Sequence, residues 1–102
     1  MASRTDRASI PLAEDVWLHE SRTVKDGKVI KFRIHVQYEP SGRPPVPLVR
    51  YDSAHGGPHV HRYMEGDKVE QLPGSPEDAL ALCERDLYER LDEYLRIARR
   101  GT

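Results

Sequence analysis

Three of the five histidines in the chain fall within seven residues, at His55, His59 and His61. Imidazoles change charge near neutral pH, so they serve as general acids, general bases and metal ligands. Asp52 precedes them closely, and a carboxylate can orient an imidazole for proton transfer. The types and spacing of these residues therefore indicate a candidate catalytic cluster that consists of Asp52, His55, His59 and His61.

Two short strands joined by a glycine-rich turn are predicted to carry this cluster. Alternate side chains of a strand share a face, so His59 and His61 point one way and Arg62 points the other. Arg50 lies on the preceding strand, and the register of the hairpin decides whether it faces the histidines. Guanidinium groups bind anions. The candidate substrate-binding residues are Arg50, Arg62 and Tyr63.

The sequence leaves three interpretations of the cluster open. In the first, two histidines act as general base and general acid on an RNA phosphodiester without a metal or other cofactor, and an arginine stabilises the developing charge. In the second, His55, His59 and His61 bind a divalent metal, and Asp52 is a further ligand or orients one of them. In the third, the histidines are structural and satisfy the polar groups of the glycine-rich turn.

The charge distribution is uneven along the chain, which is compatible with a phosphate-bearing partner and also with ordinary solvated faces. The whole chain of 102 residues has a formal net charge of −1. Residues 22–62 contain eight Lys or Arg against three acidic residues, a net charge of +5. Residues 65–93 contain three basic and ten acidic residues, a net charge of −7. A basic sheet beside an acidic helix follows, and RNA is one partner that such a sheet attracts.

The clearest predicted hairpin precedes the cluster. Residues 28–39 alternate apolar and polar side chains, which is typical of a half-buried strand. An Asp-Gly pair before them suits a two-residue turn. This register predicts Trp17, His19 and Ile30 on the inner face of the sheet. His35 falls on the outer face and is interpreted as an exposed polar residue.

The remaining elements complete an α+β domain. After a proline-rich loop, strands are predicted over 48–52 and 59–64, with a short fifth strand over 68–72. Ser75 is a suitable N-cap for a long helix, and six residues along it form one apolar stripe. We predict a four- or five-stranded antiparallel meander packed by one long C-terminal helix. The stripe consists of Leu80, Cys83, Leu87, Leu91, Tyr94 and Ala98.

The N-terminal residues and the composition of the chain exclude several classes of protein. Residues 1–15 lack periodicity and are predicted to form a flexible N-terminal arm, so residues 16–102 form the single domain. No apolar run approaches the roughly 20 residues of a membrane helix, and the first residues lack the apolar core of a secretory signal. A single cysteine excludes a disulfide within one chain. These features predict a cytoplasmic protein without a membrane partner.

Residues 51–61 also contain a motif that resembles one in other proteins. The pattern Y-D-x-x-H-G-x-P-H-x-H resembles a motif of small, mostly uncharacterised bacterial proteins, and the layout is loosely similar to TumE-like toxins of toxin–antitoxin systems. The resemblance implies a small toxin or a protein derived from one, with a cognate antitoxin protein as partner. It extends to Asp52, His55, His59 and His61 only. The alternative class is a non-catalytic protein-binding or dimerisation module, and a homodimer is compatible with the sequence.

Overall fold

The computed structural model describes residues 2–54 and 56–100, so the candidate residue His55 lies outside the described residues. Six antiparallel strands form one sheet whose order follows the chain, and one helix packs on it. The predicted α+β class is confirmed, but the sheet has six strands rather than four or five. The elements are β1 (Arg4–Ala13), β2 (Val16–Lys25), β3 (Lys28–Tyr38), β4 (Val46–Asp52), β5 (His59–Arg62), β6 (Lys68–Gln71) and α1 (Pro76–Arg100).

The additional strand, β1, lies in the segment that was predicted to be a flexible arm. It pairs with β2 from Arg4 opposite Val24 to Ala13 opposite Val16. All but its last two residues are exposed, which explains why the sequence shows no apolar alternation there. Backbone pairing with β2, rather than a buried face, holds this edge strand in place.

A bulge in the β2–β3 hairpin changes which side chains face the core. Val24 lies opposite Val29, but the next pair joins Thr23 to Lys31, so Ile30 has no partner on β2 and is 46% exposed. One extra residue reverses the face of every residue beyond it, because side chains alternate with a period of two. The prediction that Trp17, His19 and Ile30 lie on the inner face is therefore wrong. Val16 and Leu18 occupy the core positions instead.

One face of the sheet and one side of α1 form the hydrophobic core. Five of the six residues of the predicted helical stripe are buried, and the sixth, Leu91, is partly buried. Ser75 caps the helix, since its Oγ accepts a hydrogen bond from the backbone N–H of Asp78 at 3.3 Å. Burial, together with nearby Asp86, raises the pKa of Cys83 to about 12. The thiol therefore stays protonated at neutral pH and acts as a packing residue.

The helix α1 is amphipathic along its whole length. Within residues 2–54 and 56–100, no helix combines the length and the apolar composition needed to cross a membrane. Its buried side covers the apolar face of the sheet, mainly at β3. The opposite face of the sheet is left uncovered by α1, and this open face carries most of the candidate residues.

Candidate functional site

Polar side chains from five adjacent strands line up across the open face of the sheet. The pairing places His19 opposite His35, His35 opposite Arg50, and Arg50 opposite His61. Neighbouring strands are about 4.8 Å apart, so the backbones of His35 and His61 lie about 10 Å apart on either side of Arg50. We call this set the polar row, and its members are Ser9, His19, His35, Arg50 and His61.

Tyr63 packs against one end of the polar row. Its ring stacks on His61 with centroids 3.9 Å apart, and it lies 6.4 Å from the ring of His35. The guanidinium carbon of Arg50 is 5.9 Å from the centre of the same ring, within the range of a cation–π contact. The structure thus brings together three predicted site residues, Arg50, His61 and Tyr63. It adds His35, which the sequence analysis treated as an exposed polar residue.

Three buried nitrogen atoms of this group have no hydrogen-bond partner among the described residues. They are Nε2 of His35, Nε of Arg50 and Nε2 of His61. The last lies 3.4 Å from Oδ1 of Asp67, but without the geometry of a hydrogen bond. Most buried polar atoms in proteins are paired, so three neighbouring exceptions mark a functional candidate. An arginine Nε can only donate, so this position favours an acceptor such as a phosphate oxygen.

The surroundings of His35 favour its neutral form. Burial lowers the pKa of His35 below its ordinary value of 6.5, and the positive charges of Arg33 and Arg50 lower it further. His19 acts in the same direction, whereas Glu39 opposes the shift. A neutral imidazole can accept a proton, so His35 is suited to the role of a general base near pH 7.

The lowered pKa also predicts how stability depends on pH. In the unfolded chain His35 takes up a proton near its ordinary pKa of 6.5, while in the folded chain it stays neutral to lower pH. The free energy of unfolding should therefore fall as the pH drops below 6.5. His35→Gln should remove this contribution, so the stability difference between wild type and variant should change between pH 7.5 and pH 5 in urea titrations. A pH-independent difference would contradict the shift.

Two other predicted catalytic residues, Asp52 and His59, form hydrogen bonds with the backbone of the turn between β4 and β5. Nδ1 of His59 lies 3.1 Å from the carbonyl oxygen of Gly57 and donates to it. Oδ1 of Asp52 accepts from the backbone N–H of Ala54 at 2.7 Å, and its Oδ2 is 3.5 Å from Nε of Arg33. Both side chains are buried. This geometry supports the structural interpretation for Asp52 and His59.

The alternative metal site is not assembled in the part of the chain that can be described. His59 and His61 share a face, but no group of three or more His, Cys, Asp or Glu side chains is placed to hold a metal ion within residues 2–54 and 56–100. Nδ1 of His59 is engaged with the turn. The third proposed ligand, His55, lies outside the described residues, so metal binding by His55, His59 and His61 stays a prediction.

Arg62, a predicted substrate-binding residue, lies on the opposite face of the sheet and is only 3% exposed. Its guanidinium donates to both carboxylate oxygens of Asp86, at 2.9 and 3.0 Å, and to Oη of Tyr94 at 2.7 Å. Tyr51 donates to the same carboxylate at 2.6 Å. Burial opposes ionisation of Asp86, but the hydrogen bonds from Arg62 and Tyr51 outweigh it and hold the pKa of Asp86 below its usual range. Arg62 therefore joins the helix to the sheet and does not reach the polar row.

The fold and the site together define a small α+β domain with a six-stranded antiparallel meander, one covering helix and a histidine-rich open face. One protein family, described as Domain of unknown function (DUF7718), matches residues 2–100. The chain belongs to this family. No curated protein and no solved structure shows significant similarity to it.

Proposed function

We propose that the open face of the sheet binds and cleaves RNA without a metal ion, with His35, Arg50 and His61 at its centre. The observation that carries this proposal is the set of three neighbouring buried nitrogens without hydrogen-bond partners among the described residues. Two imidazoles on either side of a guanidinium can supply the general base, the general acid and the charge stabilisation for phosphodiester cleavage through the ribose 2′-hydroxyl.

The order of the groups along the polar row supports the following role for each. Neutral His35 accepts the proton of the 2′-hydroxyl, whose oxygen forms a bond to phosphorus. Arg50 stabilises the negative charge that develops on the phosphoryl oxygens. His61 donates a proton to the departing 5′-oxygen as the bond from phosphorus to that oxygen breaks. The products are a 2′,3′-cyclic phosphate and a 5′-hydroxyl, so the reaction requires no oxidant or metal.

Other features of the open face are suited to a nucleic acid. Tyr63 presents an aromatic ring beside the polar row, and such rings stack on bases. Arg33 lies on the same face as His35 and supplies a further positive charge for the RNA backbone. RNA cleavage in a cell arrests growth, so a toxin with an antitoxin protein as partner is the biological role that we propose.

The direct test is incubation of the purified protein with mixed RNA in the presence of EDTA. We expect fragments that end in 2′,3′-cyclic phosphate, and no cleavage of DNA, which lacks the 2′-hydroxyl. Arg50→Ala should lower the rate by about 10²–10³-fold, because a guanidinium that faces the developing charge is removed. Arg43→Ala, an exposed loop residue with the same change of charge, is the matched control.

Three results would contradict the proposal. The first is absence of cleavage by the wild-type protein, and the second is equal cleavage by the wild type and Arg50→Ala. The third is cleavage that EDTA abolishes and added metal restores, which would favour the divalent-metal alternative and should coincide with stoichiometric metal in elemental analysis. Growth arrest on expression, relieved by an adjacent gene product, would support the role as a toxin.

A second candidate is a non-catalytic binding or dimerisation module. It is favoured by the engagement of Asp52 and His59 with their own turn, which leaves only part of the predicted cluster for chemistry. This candidate predicts that RNA is bound but not cut, or that a partner protein covers the open face. Size-exclusion chromatography with light scattering, run with and without RNA, separates a homodimer, an RNA complex and a free monomer.

A further inference from the structure

Ser9, His19 and Glu39 form a hydrogen-bonded chain at the β1 end of the polar row. Oγ of Ser9 lies 2.8 Å from Nδ1 of His19, and Nε2 of His19 lies 2.6 Å from Oε2 of Glu39. A serine, an imidazole and a carboxylate in hydrogen-bonding sequence are the parts of an activated nucleophile. The sequence analysis assigned no chemistry to these three residues, since its register placed His19 in the core and Ser9 lay in the predicted flexible arm.

One arrangement of the protons along this chain activates the serine. If Nε2–H of His19 donates to Glu39, then Nδ1 carries a lone pair and accepts the proton of the Ser9 hydroxyl. Nε2 of Gln37 also donates to Oε2 of Glu39, at 3.4 Å. The indole of Trp17 lies nearly parallel to the imidazole, with centroids 6.3 Å apart and planes 5° apart. These neighbours hold the carboxylate and the ring in place.

A groove beside Ser9 offers space for a small substrate. It has a volume of about 290 Å³, and its lining includes Ser9, His19, Arg7 and Arg33. Glu20 and His35 also line it, so the groove adjoins the proposed RNA site. Ser9 and Arg7 are both exposed, so the hydroxyl is accessible from solvent. Arg7 and Arg33 give the groove positive charge, although Nε of Arg33 also lies 3.5 Å from Oδ2 of Asp52. This charge favours an anionic substrate and is suited to the oxyanion that forms during acyl transfer.

We propose that Ser9 is the nucleophile of a second site, which hydrolyses small anionic carboxylic esters. Oγ of Ser9 forms a bond to the carbonyl carbon while its proton passes to Nδ1 of His19. The bond from that carbon to the alcohol oxygen then breaks, and the alcohol leaves with the proton from His19. Water, activated by His19 in the same way, hydrolyses the acyl-serine and restores the Ser9 hydroxyl. Glu39 is a positioning residue that holds His19 and stabilises its charged form.

The first experiment treats the full chain with a fluorophosphonate probe, which forms a bond from the serine oxygen to phosphorus and releases fluoride. Peptide mass spectrometry should locate the probe on Ser9, with no labelling in Ser9→Ala. His19→Gln should lower the labelling rate by about 100-fold or more. Glu39→Gln should lower it less, and Glu39→Asp should restore part of it. Ser21→Ala, a serine of the same groove, is the matched control and should label like the wild type.

The second experiment tests the class of substrate by comparing 4-acetoxybenzenesulfonate with its neutral counterpart, phenyl acetate. We expect a preference of about 10-fold in kcat/KM for the anionic ester, after correction for its intrinsic reactivity. Arg7→Ala should reduce this preference. Equal rates for both esters would overturn the proposed substrate class.

Two outcomes of the labelling experiment would overturn the nucleophile itself. One is labelling no greater than in heat-denatured protein, and the other is labelling of Ser9 that His19→Gln leaves unchanged. A lowered Tm in Ser9→Ala and His19→Gln, combined with either outcome, would show that the hydrogen-bonded chain only fastens β1 to the sheet. Circular dichroism of each variant shows that a loss of labelling does not come from unfolding.

Discussion

Replacing either His35 or His61 by alanine is expected to lower the rate of RNA cleavage by about 10²–10⁴-fold, the usual contribution of general acid–base catalysis. In the proposed mechanism each imidazole moves one proton of the reaction, and the two lie on either side of Arg50. The measurement is the initial rate on a labelled oligoribonucleotide in EDTA between pH 5 and pH 9. A bell-shaped profile is expected for the wild type, and each variant should lose one limb of the bell.

Two control variants are needed to interpret this experiment. Gln37→Ala changes a polar residue two positions from His35 on the same strand and should leave the rate close to that of the wild type. His59→Ala should lower stability through loss of the bond to Gly57, with a smaller effect on the rate of the folded fraction. A larger loss of rate in His59→Ala than in His61→Ala, at equal stability, would move the chemistry from the polar row to the turn.

Arg62→Ala is expected to lower the free energy of unfolding by about 3–5 kcal/mol, the usual result of breaking a buried ion pair. The substitution leaves the partly buried carboxylate of Asp86 without the donor that binds both of its oxygens, and it removes the guanidinium donor from Oη of Tyr94. Urea denaturation followed by circular dichroism measures the change. Arg96→Ala, which removes the same charge from the exposed side of α1, should change the free energy by less than about 0.5 kcal/mol.

A double substitution distinguishes the contribution of the ion pair to stability from the contribution of the packing around it. Arg62→Met combined with Asp86→Leu removes both charges and keeps apolar volume, so it should recover most of the stability that Arg62→Ala loses. A double variant as unstable as Arg62→Ala would show that the apolar stem of Arg62, and not its charge, accounts for the loss. Near-wild-type stability of Arg62→Ala itself would contradict the account of this network.

The helix and the general architecture could be predicted from the sequence because their signals are local. The apolar stripe of α1 has the helical period, Ser75 provides the cap, and both are confirmed. The β1 strand could not be predicted in the same way, because an exposed edge strand buries no face and leaves no alternation. The inner face of β2 was assigned wrongly for another reason. A single unpaired residue, Ile30, shifts the register and so reverses which side chains of β2 face the core. The sequence around Ile30 does not distinguish a bulge from a regular strand.

Part of the candidate site could be predicted from the sequence, again because some of its signals are local. Alternation correctly placed His59 and His61 on one face of β5 and Arg62 on the other. Alternation could not show which imidazole nitrogen would form a hydrogen bond with the turn, since this depends on the backbone geometry around Gly57. His35 was recognised as an outward-facing residue, but its proposed role depends on Arg50 and His61, which lie 15 and 26 positions further along the chain. Such a row exists only after three strands have paired.

The strand order of the sheet has a consequence for how the chain reaches its native state. Every strand pairs with its neighbour in the sequence, so the contact order of the sheet is low for a β-rich protein and hairpins can form early. The helix α1 follows all six strands, so the apolar side of the meander has no cover until residues 76–100 have been synthesised. A nascent chain that stalls before this point would expose a wide hydrophobic surface, and we expect it to aggregate or to be bound by chaperones.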